Sequence, residues 1–332
     1  MQLILPQDDR AARLLEGFDL RYDQFARELP DPLRAQAGVG GTFKGRQNDE
    51  PFIPSTGTNI IYTCTPWIFW ELFCDMEDQH FLEIAFAGGL ISLASVLMDH
   101  IIDQQVDQPH LIAVLHLALF QRGVSALQAL FPTNSRFWSH FQRLNSEHLH
   151  SLAIELDLQT NPKALSEEDF QAMAGGKVSP VVITIAAFAA AVDRIDILEP
   201  IESSLKHTFI AGQMHDDVLD WQYDLEASHC TYFLSRYLLT EDEQTQKWPT
   251  AEDILEKMET NWEDTGQLDM AVEGYKCAIE AVAGLDCDRW VSALEGTIQT
   301  AEEHKRELYR VHVVRAIKQA VVSPGKDLFP DG

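Results

Sequence analysis

The stretch Gly212-Gln213-Met214-His215-Asp216-Asp217-Val218-Leu219-Asp220-Trp221-Gln222-Tyr223-Asp224 lies at the end of a long helical pattern, Pro200–Glu226. Asp216, Asp220 and Asp224 recur at i, i+4 and i+8, which is one stripe of an α-helix, and Asp217 joins Asp220 from the side. A surface helix would interleave lysines with such a stripe. None occurs between Ile210 and Ser228.

A second acidic helix end, Ser95-Val-Leu-Met-Asp99-His100-Ile-Ile-Asp103, closes the apolar pattern Gln79–Gln105. The Cβ directions of Asp99 and Asp103 differ by only ~40°, so both carboxylates point into the same space one turn apart. Like charges at that spacing repel, and a helix C-terminus disfavours anions further. One such cluster alone reads as a solvated face; two, each behind an apolar helix, ask for a shared cation. Hard divalent ions suit carboxylate oxygens, and Mg²⁺ favours sites it can share with substrate phosphates. Facing acidic helix ends thus suggest a magnesium-diphosphate clamp whose chemistry is ionisation.

Working outward, the remaining patterns are also helical: Ile60–Met76, His110–Leu130, Ser135–Leu156, Glu167–Val192, Thr231–Leu239, Ala251–Glu259, Gln267–Ala283 and Asp288–Val321. Ser166-Glu-Glu-Asp169 reads as a capping box. Alternating strand patterns are scarce, and there is no repeat or low-complexity tract. The expectation is one all-α domain over residues 1–332, with an irregular segment 1–55 and a frayed tail 322–332.

Lys and Arg number 25 against 52 Asp and Glu, a formal charge of −27. Nucleic acid is excluded as a general partner, because it demands a cationic face. The five cysteines show no CxxC spacing, so reduced thiols are expected. The first residues show no secretory pattern, and the longest apolar run, Val181 to Val192, falls short of the ~20 residues of a membrane span. A soluble cytoplasmic protein without a stable membrane span is the expectation.

Gln213, Asp216, Asp217 and Asp220 form QxxDDxxD, which resembles the second aspartate-rich motif of the trans-isoprenyl diphosphate synthases. Ser95 to Asp103 resembles their first motif, with His100 in place of the second Asp of DDxxD. Ala174-Gly-Gly-Lys177-Val-Ser-Pro180 is similar to their diphosphate-binding lysine segment. The resemblance covers about Ile84 to Tyr232. It implies the all-α isoprenoid synthase fold around a deep central cavity, three Mg²⁺ ions bound with diphosphate, a prenyl diphosphate substrate and a homodimer. It assigns metal to Asp99, Asp103, Asp216, Asp217 and Asp220, to which the helical stripe adds Asp224, and diphosphate to Lys177 and Gln213.

The departures shape the functional reading. Chain-elongating members of the family carry an Arg pair after the first motif, whereas here Gln104-Gln-Val-Asp-Gln-Pro follows Asp103 and the first arginine is Arg122. Gly40-Gly-Thr-Phe-Lys-Gly-Arg46 is a loose echo of their upstream Lys-Arg segment. These absences favour a class I terpene cyclase of farnesyl diphosphate or a longer substrate. The alternatives are a chain-elongating prenyl synthase, a head-to-head synthase suggested by DxxxD at Asp99–Asp103 and Asp220–Asp224, and a non-catalytic subunit. A zinc hydrolase is disfavoured, because His207, His215 and His229 lack HExxH spacing.

Behind Asp99, one helix face presents Ser95, Ser92, Gly88 and Ala85, all small. Either they line the cavity or they let helices pack closely. Trp67, Trp70 and Phe209 could stabilise a carbocation through their faces or simply fill the core. Near the C-terminus, His304-Lys-Arg-Glu-Leu-Tyr-Arg310 resembles the Arg-Tyr pair of bacterial terpene cyclases, making Arg306 and Tyr309 diphosphate candidates; a solvated amphipathic helix explains the segment equally well.

Overall fold

A computed structural model of the chain describes residues 5–6, 8–37, 60–242, 245–260 and 266–322. The Gly40–Arg46 segment, residues 47–55 and the tail from 323 lie outside the described residues. Helix is the dominant element, as the patterns predict, with one difference: a two-stranded antiparallel ribbon, β1 Leu239–Asp242 and β2 Thr245–Lys247, pairs Leu239 with Lys247 and Thr240 with Gln246.

The N-terminal segment is not irregular throughout. Helix α1, Asp9–Glu28, is capped by Asp8, whose carboxylate accepts from Ala11 N at 2.8 Å. It buries Ala11, Leu14, Phe18, Tyr22 and Ala26, a helical stripe crowded by intervening charges. A single turn, α2, follows at Asp31–Arg34. The expected helix Ile60–Met76 is instead three turns: α3 Ile60–Thr63, α4 Thr65–Ile68 and α5 Trp70–Phe73. Pro66 lacks the N–H a continuing helix needs, and Cys64 and Phe69 leave helical geometry. Trp67 and Trp70 enter an aromatic core with Phe81, at 5.2 and 5.4 Å between ring centroids, and Phe73 and Phe81 each meet Phe188 at 4.9 Å. Burial of each such ring contributes roughly 1.5–3 kcal/mol.

The long helices are α6 Asp78–Ile102, α7 Pro109–Leu130, α8 Phe137–Thr160, α9 Glu167–Lys177, α10 Ser179–Ala191 and α11 Leu198–Leu219. Behind them come α12 Trp221–Ala227, α13 Tyr232–Ser235, α14 Ala251–Thr260, α15 Gly266–Ala281 and α16 Asp288–Val322. Half of the capping box is present: Ser166 Oγ accepts from Asp169 N at 3.1 Å, while the Asp169 carboxylate accepts from the Ser166 hydroxyl at 2.8 Å rather than from its backbone N–H. The pattern Glu167–Val192 divides at Val178 into α9 and α10, bent by 53°. Ser204 ties three helices together, donating to Ala278 O at 2.6 Å while accepting from Trp290 Nε1 at 2.7 Å.

By length and composition, α6 and α7 are apolar enough to cross a membrane, contrary to the expectation from uninterrupted apolar runs. Burial accounts for α6, because 78% of its apolar window lies inside the bundle. Helix α7 buries 28% of its window and leaves Val114 and Leu117 each 50% exposed.

The small residues of α6 form a packing seam. A Cβ added at Gly88 would lie 2.3 Å from Thr184 Oγ1 on α10, and Ser92 Oγ donates to Pro180 O at 3.3 Å. Ser95 turns back to donate to Ser92 O at 2.7 Å. Gly88 and Ser92 therefore do not border an open cavity; Thr184 and the α10 backbone fill the space. Gly88→Ala is expected to cost about 1–3 kcal/mol by urea unfolding, outweighing the ~1 kcal/mol that alanine gains in an unhindered helix. Thr184→Ala should recover part of the loss. A more stable Gly88→Ala protein would refute the seam.

Candidate active site at the acidic helix ends

Both acidic motifs end in left-handed turns made without glycine. After Asp103, Gln104 takes φ 56°, and Gln105 N donates to His100 O at 2.9 Å. After α12, Ser228 takes φ 57°, and His229 N donates to Asp224 O at 2.8 Å. This Schellman-like closure satisfies the last carbonyls and folds His229 back toward Asp224. Non-glycine residues hold this conformation at a cost of roughly 1–3 kcal/mol, a strain that clusters at functional sites.

The structure brings the two motifs together across that histidine. His229 Nε2 lies 3.1 Å from Asp103 Oδ1 of the first motif, and Nδ1 lies 3.7 Å from Asp224 Oδ1 of the second. Burial alone would push the imidazole down; the two carboxylates outweigh it and hold it up at about 10.

Lys177 stands at the α9–α10 bend and pairs with Asp99 at 2.8 Å and Glu155 at 2.6 Å. Gly176 makes this possible. A Cβ there would meet Ser151 Cβ at 2.6 Å, so its absence lets α9 press on α8 and puts Lys177 against Glu155, one turn beyond Ser151. Burial opposes the ammonium charge, but Asp99 and Glu155 hold Lys177 well above its ordinary value. Asp99 is pulled down by Lys177 against burial, whereas burial wins at Glu155 and pushes it up. Tyr62 belongs to the same wall: burial, then the Asp99 charge, push its hydroxyl up.

The second motif divides at the break between α11 and α12. Asp217 and Asp224 are buried, while Asp216 and Asp220 are exposed. Gln213, expected at diphosphate, donates to Asp217 Oδ1 at 2.7 Å, and Phe233 N donates to Asp217 Oδ2 at 3.4 Å. Among the described residues no Lys or Arg pairs with Asp216, Asp217 or Asp220. Asp216 reaches solvent but is closely surrounded by protein, and that partial desolvation, then the Asp220 charge, push it up to about 6. Burial pushes Asp217 up to about 7. Carboxylates with so little compensating charge fit a hard divalent cation, which would supply it.

Of the remaining candidates, Phe209 meets Tyr62 edge-on at 5.7 Å and so backs the wall beside Asp99. Trp67 and Trp70 do not; Trp67 Nε1 donates to Ala11 O at 3.1 Å, and Arg10 lies 5.5 Å over the Trp70 ring. Arg306 is exposed and donates to Glu302 O of its own helix at 3.1 Å, and Tyr309 is 54% exposed. Their helix does touch the site's edge, where His304 Nδ1 and His215 Nε2 are 2.9 Å apart. Glu155, His229 and Tyr62 carry no motif signal, being a lone acid, a loop histidine and an isolated tyrosine.

No protein-family model matches the sequence, and no curated protein matches it. Solved structures do. A geranylgeranyl pyrophosphate synthetase from the archaeon Geoglobus acetivorans superposes with a TM-score of 0.65 at 14% identity, covering 86% of this chain and 98% of that one. A geranyltranstransferase from Thermotoga maritima gives 0.59 at 16%, covering 88% and 98%. A polyprenyl synthetase from Streptomyces coelicolor A3(2) gives 0.59 at 18%, covering 86% and 99%. The chain has the all-α fold of these trans-prenyltransferases, as its aspartate motifs led one to expect. At such identities the likeness defines the fold, and the chemistry rests on the residues that the fold assembles.

Proposed function

We propose that this chain is a Mg²⁺-dependent enzyme acting on a prenyl diphosphate, and that it transfers the ionised prenyl group in chain elongation. The observation that carries the reading is the meeting of the two acidic motifs at Asp103, His229 and Asp224, beside a lysine held at a helix break. Bound Mg²⁺ would neutralise the charge developing on a departing diphosphate. Asp99 and Asp103 would hold it from one side, and Asp216, Asp217, Asp220 and Asp224 from the other. Gln213 keeps Asp217 aimed, and Lys177 offers an ammonium to a diphosphate oxygen once a cation relieves it at Asp99. Tyr62 and Phe209 present apolar surface next to Asp99, suited to the prenyl chain.

Transfer is favoured over cyclisation because the likeness to synthases of prenyl chains runs nearly end to end. Cyclisation is the second reading, supported by the missing arginines between Asp103 and Arg122 and by His100 within the first motif. The chain is incubated with Mg²⁺ and geranyl, farnesyl or geranylgeranyl diphosphate, with and without isopentenyl diphosphate. A longer diphosphate that forms only with isopentenyl diphosphate is expected. Hydrocarbon or alcohol formed without it means a cyclase, and no diphosphate release from any substrate sinks both. A homodimer belongs to the same proposal, and a second copy would cover Val114 and Leu117 on α7.

A further inference from the structure

We propose that Asp103, Glu155 and His229 form a binding site for a borderline divalent metal ion, Zn²⁺ in class, different in character from the magnesium clamp and sharing Asp103 with it as a ligand. The three residues come from the end of α6, the C-terminal part of α8 and the turn after α12, so only the fold unites them. One ligand atom from each lies within 4.8 Å of the others. Asp103 Oδ1 and His229 Nε2 are 3.1 Å apart, an ion pair in the metal-free chain, and a metal ion bound there would displace the proton between them. Two ligands each ~2.1 Å from a tetrahedral ion would be about 3.4 Å apart, so the pair needs to open by only a few tenths of an ångström to admit one.

Glu155 supplies an independent indication. Its side chain is 6% exposed; Oε1 takes Lys177 at 2.6 Å, and Oε2, fully enclosed, has no hydrogen-bond partner. A buried carboxylate oxygen left bare is costly unless something binds it. With Oε1 fixed by Lys177, Oε2 is the atom free to ligate. Behind the imidazole, Asp224 Oδ1 stands 3.7 Å from Nδ1, the carboxylate–histidine arrangement that leaves Nε2 for a metal.

The donor set selects the ion. Mg²⁺ favours oxygen ligands and retained waters, whereas imidazole with two carboxylates suits Zn²⁺ and its neighbours, with a fourth position open to water or a phosphate oxygen. Occupancy would join α6, α8 and the turn after α12 through one ion and withdraw Asp103 from magnesium. The site borrows a residue from the prenyl diphosphate reading but does not depend on it.

The test uses the full chain, stripped with chelator and titrated with Co²⁺ in the absence of diphosphate, with visible absorption as the readout. One equivalent of Co²⁺ should produce the intense bands of a low-coordinate site, displaced by Zn²⁺ but not by excess Mg²⁺. His229→Ala and Glu155→Gln should each weaken binding at least tenfold. Should the alanine variant lose its helical circular dichroism, His229→Gln, which keeps the volume, takes its place. Absent bands, displacement by Mg²⁺, or bands unchanged by the His229 substitution would overturn the site. Prenyl diphosphate turnover with Mg²⁺, measured separately, fails or succeeds without affecting the Co²⁺ result.

Discussion

Lys177→Met is expected to destabilise the chain by about 3–5 kcal/mol, the usual loss when one member of a buried charge set is removed and its partners stay. Methionine nearly preserves the aliphatic stem, so packing is a minor part of the effect. What remains is Glu155, 6% exposed in its side chain, and Asp99, facing each other without the ammonium that had compensated both. Adding Glu155→Gln to Lys177→Met should restore much of the stability, because the double variant removes the buried negative charge as well. The sign with pH is also set. With Lys177 gone, both carboxyls titrate upward, so the folded state holds protons that the unfolded state has released. The variant's deficit should therefore shrink as pH falls toward 4, because in the wild-type chain only Glu155 lies above its ordinary value and Asp99, held down by Lys177, works the other way. Urea midpoints at two pH values decide the matter, and a pH-independent deficit would point to lost packing instead. Inorganic diphosphate binding with Mg²⁺ should weaken at least tenfold in the double variant, where folding is restored, because Lys177 is the buried cation that the fold places beside the first motif.

The sequence made the two acidic helix ends legible because four-residue spacing has only one meaning on a helix, and the fold does bring them together. It could not separate Glu155 from Asp157 two residues on. Both are acids on the same amphipathic pattern, but one faces Lys177 and the other the exposed Lys163. Only the closeness of α8 and α9, set at Gly176, makes that distinction. His229 was equally opaque. A histidine in a loop has no periodicity, and its place follows from Ser228 adopting φ 57° against its own preference. The column Ser95, Ser92, Gly88 was visible as a pattern, but a cavity wall and a close-packed seam have the same small residues; Thr184 on another helix decides between them. Helix α1 was obscured because its apolar stripe is narrow and set among charges, although its buried positions fall at helical spacing.

The largest effect on activity is expected at the second motif. Asp216→Ala should lower the rate of diphosphate release by about 10³-fold, roughly 4 kcal/mol, with little loss of stability. Asp216 makes no ion pair to a Lys or Arg among the described residues and is exposed, so the fold does not depend on it. Asp217 separates the two roles further, since it is buried and its carboxyl is pushed up to about 7 by burial. An acid whose folded value lies above its unfolded value favours the fold when protonated, so its contribution is best below pH 4 and declines as pH rises toward 7. In chelator-treated protein, Asp217→Asn should abolish that decline and make the chain more stable than wild type at pH 8, by ~4 kcal/mol at most. The amide can still accept from Phe233 N and, with Gln213 turned over, donate to its carbonyl. Mg²⁺ with inorganic diphosphate should then raise the melting temperature of the wild type at pH 8 and not that of Asp217→Asn. A carboxylate kept without a cationic partner at a net cost to the fold, and relieved when cation and diphosphate are supplied, is what a binding role requires; an Asp217→Asn protein that gains no stability and still responds to Mg²⁺ would show that the acid serves the fold instead.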